Sequence, residues 1–348
     1  MDIESLIRPN IRKLKPYRSA RLDYTSGILL DANENAFGGA VTFEGLELNR
    51  YPDPLQTPLR TRLAQLQGVK PENIFVGVGS DEVIDLLIRI FCEPRTDSVL
   101  VLEPTYGVYR VAADINDVKV NSCLLTDDFQ IDLKAVQRKT DANTKLLFCC
   151  SPNNPTGNLL RREDLLRLCA STSAVVVVDE AYFDFAQSES VINALDRFPN
   201  LVVLRTLSKA WGLAAIRLGY AVANPLIVSY LMKAKAPYNI NILTSVEALK
   251  ALRRTNHVKD TVAATIAQRK RIVGELREID FVKQVFPSDS NFLLIRVRDA
   301  RSIYSQLAAR GIIVRDRSSE PKLENCLRIS VGTPEQNTSL LNALKELQ

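Results

Sequence analysis

Ala174-Val175-Val176-Val177-Val178-Asp179-Glu180-Ala181-Tyr182 is the stretch on which the fold turns. Four consecutive valines leave no polar side to a pleated strand, so the strand must be covered on both faces. It ends abruptly in two carboxyl groups. Six more short apolar runs lie between about residues 73 and 223: Ile74–Val78, Ser98–Leu102, Val118–Val120, Lys145–Cys150, Leu201–Leu204 and Leu218–Val222. Most are near-continuous rather than alternating. Helical patterns separate many of them. Asp81 to Phe91 puts Val83, Ile84, Leu87, Ile88 and Phe91 on one stripe, and Arg161 to Cys169 does the same with Leu165, Leu166 and Leu168. Strands alternating with helices predict an α/β domain with a mainly parallel sheet, whose ligands bind beyond the carboxyl ends of the strands.

The texture changes after about Asn239. A proline-free helical stretch runs from Leu243 towards Glu278. Asn291–Val297, a helix near Arg301 to Arg310, Ile312-Ile313-Val314 and Leu327–Val331 follow, and a closing helix begins at Pro334 with Thr333 as its N-cap. This reads as a smaller α+β domain. The predicted division is a large α/β domain over residues 46–240, with residues 1–45 joining 241–348 in the smaller one.

Composition narrows the function. With 348 residues, 46% of them hydrophobic and 24% charged, the chain has the balance of a globular protein with room for two domains. The net charge of +5 is spread along the chain, which argues against a nucleic-acid footprint. No apolar run approaches membrane-spanning length, and the acidic start Met1-Asp2-Ile3-Glu4-Ser5 lacks the apolar core of a signal peptide. Six cysteines without a Cys-x-x-Cys pair suit reduced, buried thiols, so a cytoplasmic location is expected. The single histidine, His257, sits in a polar stretch and cannot supply a histidine pair for a metal. No metal is expected. The chemistry falls to lysine, carboxylates, tyrosine or a cofactor.

Three strand ends carry reactive groups. Gly77-Val78-Gly79-Ser80-Asp81-Glu82 follows a strand and opens a helix, where free backbone N–H groups form an anion site. It lacks the third glycine of a dinucleotide fingerprint. Asp179-Glu180 resembles the magnesium-binding strand of an ATPase, but no Gly-Lys occurs anywhere in the chain, so the phosphate loop of that reading is missing. Lys209 follows the Leu201–Leu204 run, with hydroxyls at Thr206 and Ser208 and a guanidinium at Arg217. An amine, an anion site and an acid suit a cofactor with an aldehyde, a phosphate and a ring nitrogen. Pyridoxal 5'-phosphate has those three handles.

Ser151-Pro152-Asn153-Asn154-Pro155-Thr156-Gly157 follows another strand. Turns favour these residue types in any case. Yet Asn-Pro-Thr-Gly, then Asp-Glu-Ala-Tyr, then Ser-Lys, then an arginine eight residues on, resembles the fold-type I pyridoxal-phosphate aminotransferases. The closer resemblance within them is to the histidinol-phosphate aminotransferases. It covers nearly the whole chain: Leu14-Lys15-Pro16-Tyr17, Leu30–Asn35, Arg50–Pro54, Gly79–Glu82, Glu103–Gly107 and Cys326–Thr333.

The resemblance implies a central seven-stranded, mainly parallel sheet flanked by helices, with a smaller α+β domain. It also implies roles. Lys209 forms the Schiff base and, once displaced, shuttles the α-proton; Asp179 holds the ring nitrogen; Tyr182 and Asn154 hydrogen-bond the ring oxygen; Tyr106 stacks on the ring. Ser80, Asp81, Thr206, Ser208 and Arg217 hold the phosphate, and Tyr51 reaches the phosphate of a neighbouring subunit in a homodimer. Arg328 and Arg315 bind the substrate's anionic end, with Tyr17 and Asn33 lining the same pocket. The implied reaction is amino transfer between glutamate and imidazole-acetol phosphate, giving 2-oxoglutarate and histidinol phosphate. Relatives with the same chemistry stay open: an aromatic amino acid aminotransferase, or a threonine-phosphate decarboxylase. A non-catalytic regulator built on this fold would carry a DNA-binding domain, and no helix-turn-helix signal precedes the α/β pattern. Two departures from the family pattern stand out: Ala36 where proline is usual, and Ala215-Ile216 where Gly-Leu is usual.

Overall fold

A computed structural model describes residues 2–17, 19–22 and 27–347; residues 1, 18, 23–26 and 348 lie outside that set. Helix α1 (Pro9–Lys13) precedes a long irregular stretch and α2 (Thr57–Gln67). Strands and helices then alternate: β1 (Ile74–Val78), α3 (Gly79–Phe91), β2 (Ser98–Glu103), α4 (Val108–Ile115), β3 (Lys119–Leu124), α5 (Leu133–Lys139), β4 (Thr144–Cys150), α6 (Arg162–Ser171), β5 (Val175–Asp179), β6 (Leu201–Thr206), β7 (Leu218–Ala223) and α7 (Pro225–Ala234). Each strand falls on one of the seven apolar runs. The sheet order is β1-β7-β6-β5-β4-β2-β3, and only β7 runs antiparallel to its neighbours.

The valine run explains why this sheet sits in the middle. Val175 and Val177 join one apolar cluster with α3, α4 and α7, while Val176 and Val178 join the cluster on the opposite face. All four are fully buried. Alternate residues of a strand point to opposite faces, so an unbroken apolar run stabilises two cores at once. Each such side chain contributes about 1.5–3 kcal/mol relative to exposure.

The rest of the chain forms α8 (Ile242–Ala251), α9 (Thr255–Arg277), β8 (Val282–Val285), β9 (Phe292–Val297), α10 (Ala300–Ala309), β10 (Arg315–Asp316), β11 (Cys326–Ser330) and α11 (Pro334–Lys345). Its four strands make an antiparallel sheet ordered β10-β11-β9-β8, packed against α9, α10 and α11. The closing helix starts where expected. Thr333 Oγ1 accepts from Gln336 N, and Gln336 Oε1 accepts from Thr333 N, a reciprocal cap of the kind that stabilises helix starts by about 1 kcal/mol.

One expectation needs correction. The predicted single helix from Leu243 is two helices. The break falls at Leu252, whose side chain is fully buried and whose carbonyl accepts two hydrogen bonds from the Arg62 guanidinium on α2. A tertiary partner takes the acceptor that a continuing helix would use. The apolar run Ile312-Ile313-Val314 leads into β10, whose pairing begins at Arg315, opposite Arg328. The segment of residues 2–13 packs on the larger sheet's helices: Ile3 and Ile7 are buried in the cluster of α3, α4 and α7. Arg8 N donates to Ile90 O at the end of α3, and Tyr230 on α7 donates to Glu4. Their apolar side chains find partners on the larger sheet's helices. We propose keeping 46–240 as the large unit and adding this segment to it.

Candidate active site

The carboxyl ends of β1, β2, β4, β5 and β6 lie along one edge of the large sheet, and the loops leaving them enclose a cleft. Its walls include Gly79, Ser80 and Asp81 after β1, Tyr106 after β2, and Asn154 after β4. Asp179 and Tyr182 come from β5, Thr206, Ser208 and Lys209 from β6, and Arg217 from the start of β7. Ten predicted site residues, scattered over 138 positions of sequence, thus meet in one place.

Asp179 is the last residue of β5 and is buried. Its Oδ1 accepts from Ala181 N at 3.0 Å and its Oδ2 accepts from the Tyr109 hydroxyl at 2.7 Å. Burial pushes its carboxyl up to about 6, against the pull of those two donors and of Lys209. Lys209 keeps one side exposed, and its amine lies 5.2 Å from the centre of the Tyr182 ring. Burial and the nearby Arg328 guanidinium lower its pKa, so the amine is more readily neutral than an ordinary lysine.

Asn154 and Tyr182 point at each other: Asn154 Nδ2 donates to Tyr182 Oη at 3.3 Å. The Asn154 carbonyl oxygen accepts from Arg328 Nη1 at 2.5 Å. Arg328 comes from the smaller sheet, so this bond ties the two sheets together inside the cleft. Burial and the like charges of Arg317 and Arg315 lower the Arg328 pKa. Asn153 does not line the cleft but holds its walls. It accepts from Thr105 Oγ1 and donates to Pro104 O and Thr156 Oγ1, binding the loop before Tyr106 to the turn that carries Asn154.

The end of the cleft at the start of α3 is built largely from backbone. Gly79, Ser80 and Asp81 begin α3, where N–H groups have no acceptor within the helix. Gly79 N donates instead to Arg217 O. Gly79 has φ +72, and a Cβ there would stand 2.7 Å from the Arg217 guanidinium. Gly219 on β7 passes still closer: its Cβ would lie 2.3 Å from Ser80 N. Both glycines let three segments converge on one small cup. Arg217 Nη2 donates to Asp81 Oδ2 at 3.0 Å, and the Tyr106 hydroxyl donates to Asp81 Oδ1 at 3.3 Å.

Four predicted residues lie apart from this cleft. Tyr51 is half exposed and stacks on Tyr238, with ring centres 4.5 Å apart. Tyr17 is exposed on another groove beside Leu55 and Lys235. Asn33 is exposed, in the left-handed region at φ 54. Arg315 is exposed too, across the β10–β11 ladder from Arg328. The sequence reading missed Tyr109, Asn153 and Gly219. Tyr109 lies three residues beyond Tyr106 on an incipient helix, which was the available signal; the other two act only through distant partners. Among the described residues, no cluster of metal-ligating side chains occurs.

The set fits pyridoxal phosphate: a lysine amine of lowered pKa, a buried carboxylate, two polar groups side by side, and a glycine-lined cup with an arginine. Comparison with known proteins agrees. The pattern described as aminotransferase class I and II matches residues 27–344. A histidinol-phosphate aminotransferase of Parabacteroides distasonis is 47% identical over 349 residues, covering 100% of this chain and 99% of that one. The crystal structure of the histidinol-phosphate aminotransferase from Clostridium acetobutylicum superposes with a TM-score of 0.80 at 26% identity, covering 86% of this chain and 91% of that one. That from Sinorhizobium meliloti, in complex with pyridoxal-5'-phosphate, gives 0.79 at 25% identity, covering 86% and 83%.

Proposed function

The chain belongs to the class I and II aminotransferases, and we propose that within this family it moves an amino group from glutamate to imidazole-acetol phosphate, reversibly, forming 2-oxoglutarate and histidinol phosphate. Pyridoxal phosphate is its cofactor. One observation carries the substrate reading. Arg328, reaching over from the smaller sheet, meets Asn154 in the cleft that holds Lys209. A guanidinium fork there would hold an anionic end, carboxylate or phosphate, at a fixed distance from the reacting amine.

When bound, the cofactor supplies an electron sink for the pair left on the substrate α-carbon. The chain's own groups do the rest. Lys209 Nζ would hold the cofactor through its aldehyde and would move the α-proton. Asp179 would accept a hydrogen bond from the ring N–H. Asn154 and Tyr182 would hold the ring oxygen, with Tyr106 beside the ring. Ser80, Asp81, Thr206, Ser208 and Arg217 would hold the phosphate. Arg328 takes the substrate's anion, with Arg315 across the β10–β11 ladder from it. Glutamate and imidazole-acetol phosphate use the site in turn.

A homodimer in which Tyr51 serves the neighbouring subunit's phosphate remains part of the proposal. Large exposed apolar side chains concentrate between residues 14 and 55, among them Leu14, Tyr17, Leu30, Phe37 and Phe43. Exposed apolar side chains in this number suit a covered surface. We also propose a cytoplasmic location; among the described residues, no helix is long and apolar enough to cross a membrane.

Gly219→Ala should loosen the phosphate cup, since the added methyl would collide with the Ser80 backbone. We expect the dissociation constant for pyridoxal phosphate to rise by about tenfold or more, in line with the cost of overpacking. A fluorescence titration of cofactor-free protein reads this out; an unchanged constant would detach the cup from cofactor binding. Substrate choice is tested by kcat/KM with 2-oxoglutarate as acceptor. Histidinol phosphate should exceed phenylalanine by about 100-fold or more, because phenylalanine's only anion is the α-carboxylate beside the reacting carbon, whereas histidinol phosphate offers a more highly charged phosphate on a longer arm and an imidazole that can hydrogen-bond. A preference for phenylalanine, or carbon dioxide released from threonine phosphate, would replace the substrate.

A further inference from the structure

Tyr109 is fully buried, its ring stacked on Phe148 with centres 4.8 Å apart and set edge-on to Tyr106 at 5.6 Å. In a pocket this apolar, phenylalanine would fill the same volume without the cost of burying a hydroxyl. The hydroxyl has a definite partner: it donates to Asp179 Oδ2 at 2.7 Å, while Ala181 N holds Oδ1. Both oxygens are therefore fixed by donors from the protein, and the carboxylate cannot turn. Tyr106 lies just before α4 and Tyr109 in its first turn, where Tyr109 N donates to Tyr106 O. The same turn sets a ring-facing tyrosine and braces the acid.

We propose that Tyr109 is a positioning residue for Asp179: its hydrogen bond fixes the carboxylate and makes it a weaker base, so that the proton stays on the cofactor's ring nitrogen. This rests on the functional reading above. The physical reason is the buried setting. A carboxylate and a protonated ring nitrogen, both out of water, compete closely for one proton, and burial favours the neutral arrangement. Asp81 nearby pushes in the same direction, Lys209 opposes it, and the Cys150 thiol stays neutral because burial raises its pKa. A donor bonded to the carboxylate opposes the neutral arrangement directly. Losing it should shift the proton balance toward Asp179 by roughly tenfold. A less protonated ring withdraws fewer electrons, so α-proton removal slows.

The test uses full-length protein loaded with pyridoxal phosphate carrying nitrogen-15 in the ring. In the wild type the nitrogen-15 resonance should lie at the protonated position. In Tyr109→Phe, which keeps the stack on Phe148, it should move toward the unprotonated position. The rate of the glutamate half-reaction should fall about tenfold with little change in KM. Incorporating 3-fluorotyrosine at position 109, a stronger donor of nearly the same size, should move the resonance the other way, and it decides the question if Tyr109→Phe folds poorly. A resonance that is identical in all three proteins would overturn the role of Tyr109 and leave the aminotransferase reading intact. A wild type that binds no cofactor would overturn both.

Discussion

Replacing Lys209 by alanine is expected to lower the rate of amino transfer by about 1,000-fold or more, while the protein still folds and still takes up cofactor. The two halves of that expectation have separate physical sources. Lys209 lies beyond the end of β6, on a turn with one side exposed, so its side chain adds little to either core. The proposed cofactor contacts of Asp179, Tyr106 and Arg217 belong to other segments and survive the change. What is lost is the one amine in the cleft whose pKa is lowered by burial and by Arg328. Among the described residues, no other lysine lines the cleft. Single-turnover conversion of glutamate to 2-oxoglutarate, measured beside the cofactor content of the same preparation, checks both halves. Turnover near the wild-type rate would remove Lys209 from the mechanism.

The second large effect falls on Arg328. Arg328→Ala should lower kcat/KM by about 100-fold or more for both glutamate and histidinol phosphate, since truncating one partner of a buried charge pair costs about 2–5 kcal/mol. Part of the loss comes from the site itself. Without Nη1, the Asn154 carbonyl oxygen loses the donor that now holds it. Part comes from the substrate's unpaired anion. Arg315→Ala should cost less, because Arg315 is exposed where Arg328 is half buried. Measured for the two half-reactions separately, equal losses point to one shared anion site. A loss confined to one substrate would mean that the other anion binds elsewhere.

The large sheet could be read from the sequence because burial on both faces leaves a local trace. Val175 to Val178 cannot sit comfortably anywhere but in the middle of a sheet, and the other six runs follow the same logic. Strand β8 left no such trace: Val282-Lys283-Gln284-Val285 is short and half exposed at a sheet edge. The break between α8 and α9 was also invisible, since it depends on Arg62, 190 residues away from Leu252 in sequence. The site divides in the same way. Lys209, Asp179 and Asn154 stand at strand ends within recognisable motifs. Tyr109 and Gly219 matter through what they touch across the fold, an aspartate 70 positions on and the backbone of Ser80. Residue type and spacing do not carry that information.

Arginines and acids from the N-terminal segment add a further feature that spacing concealed. The Glu34 side chain is almost fully covered and binds Arg21 and Arg50, and its Oε1 accepts from Tyr51 N at 2.8 Å. Hydrogen bonds from Arg50 and the Tyr51 backbone, with the Arg21 charge, hold its carboxyl below the usual range. The network fixes the backbone of Tyr51, the residue proposed to serve a neighbouring subunit.

The most direct measurement is the visible absorbance of the purified protein with pyridoxal phosphate, followed while histidinol phosphate is added and then 2-oxoglutarate. A visible band that histidinol phosphate removes and 2-oxoglutarate restores is the predicted result, with phenylalanine and threonine phosphate far less effective. A protein that develops no such band with added cofactor would contradict the placement of the cofactor on Lys209.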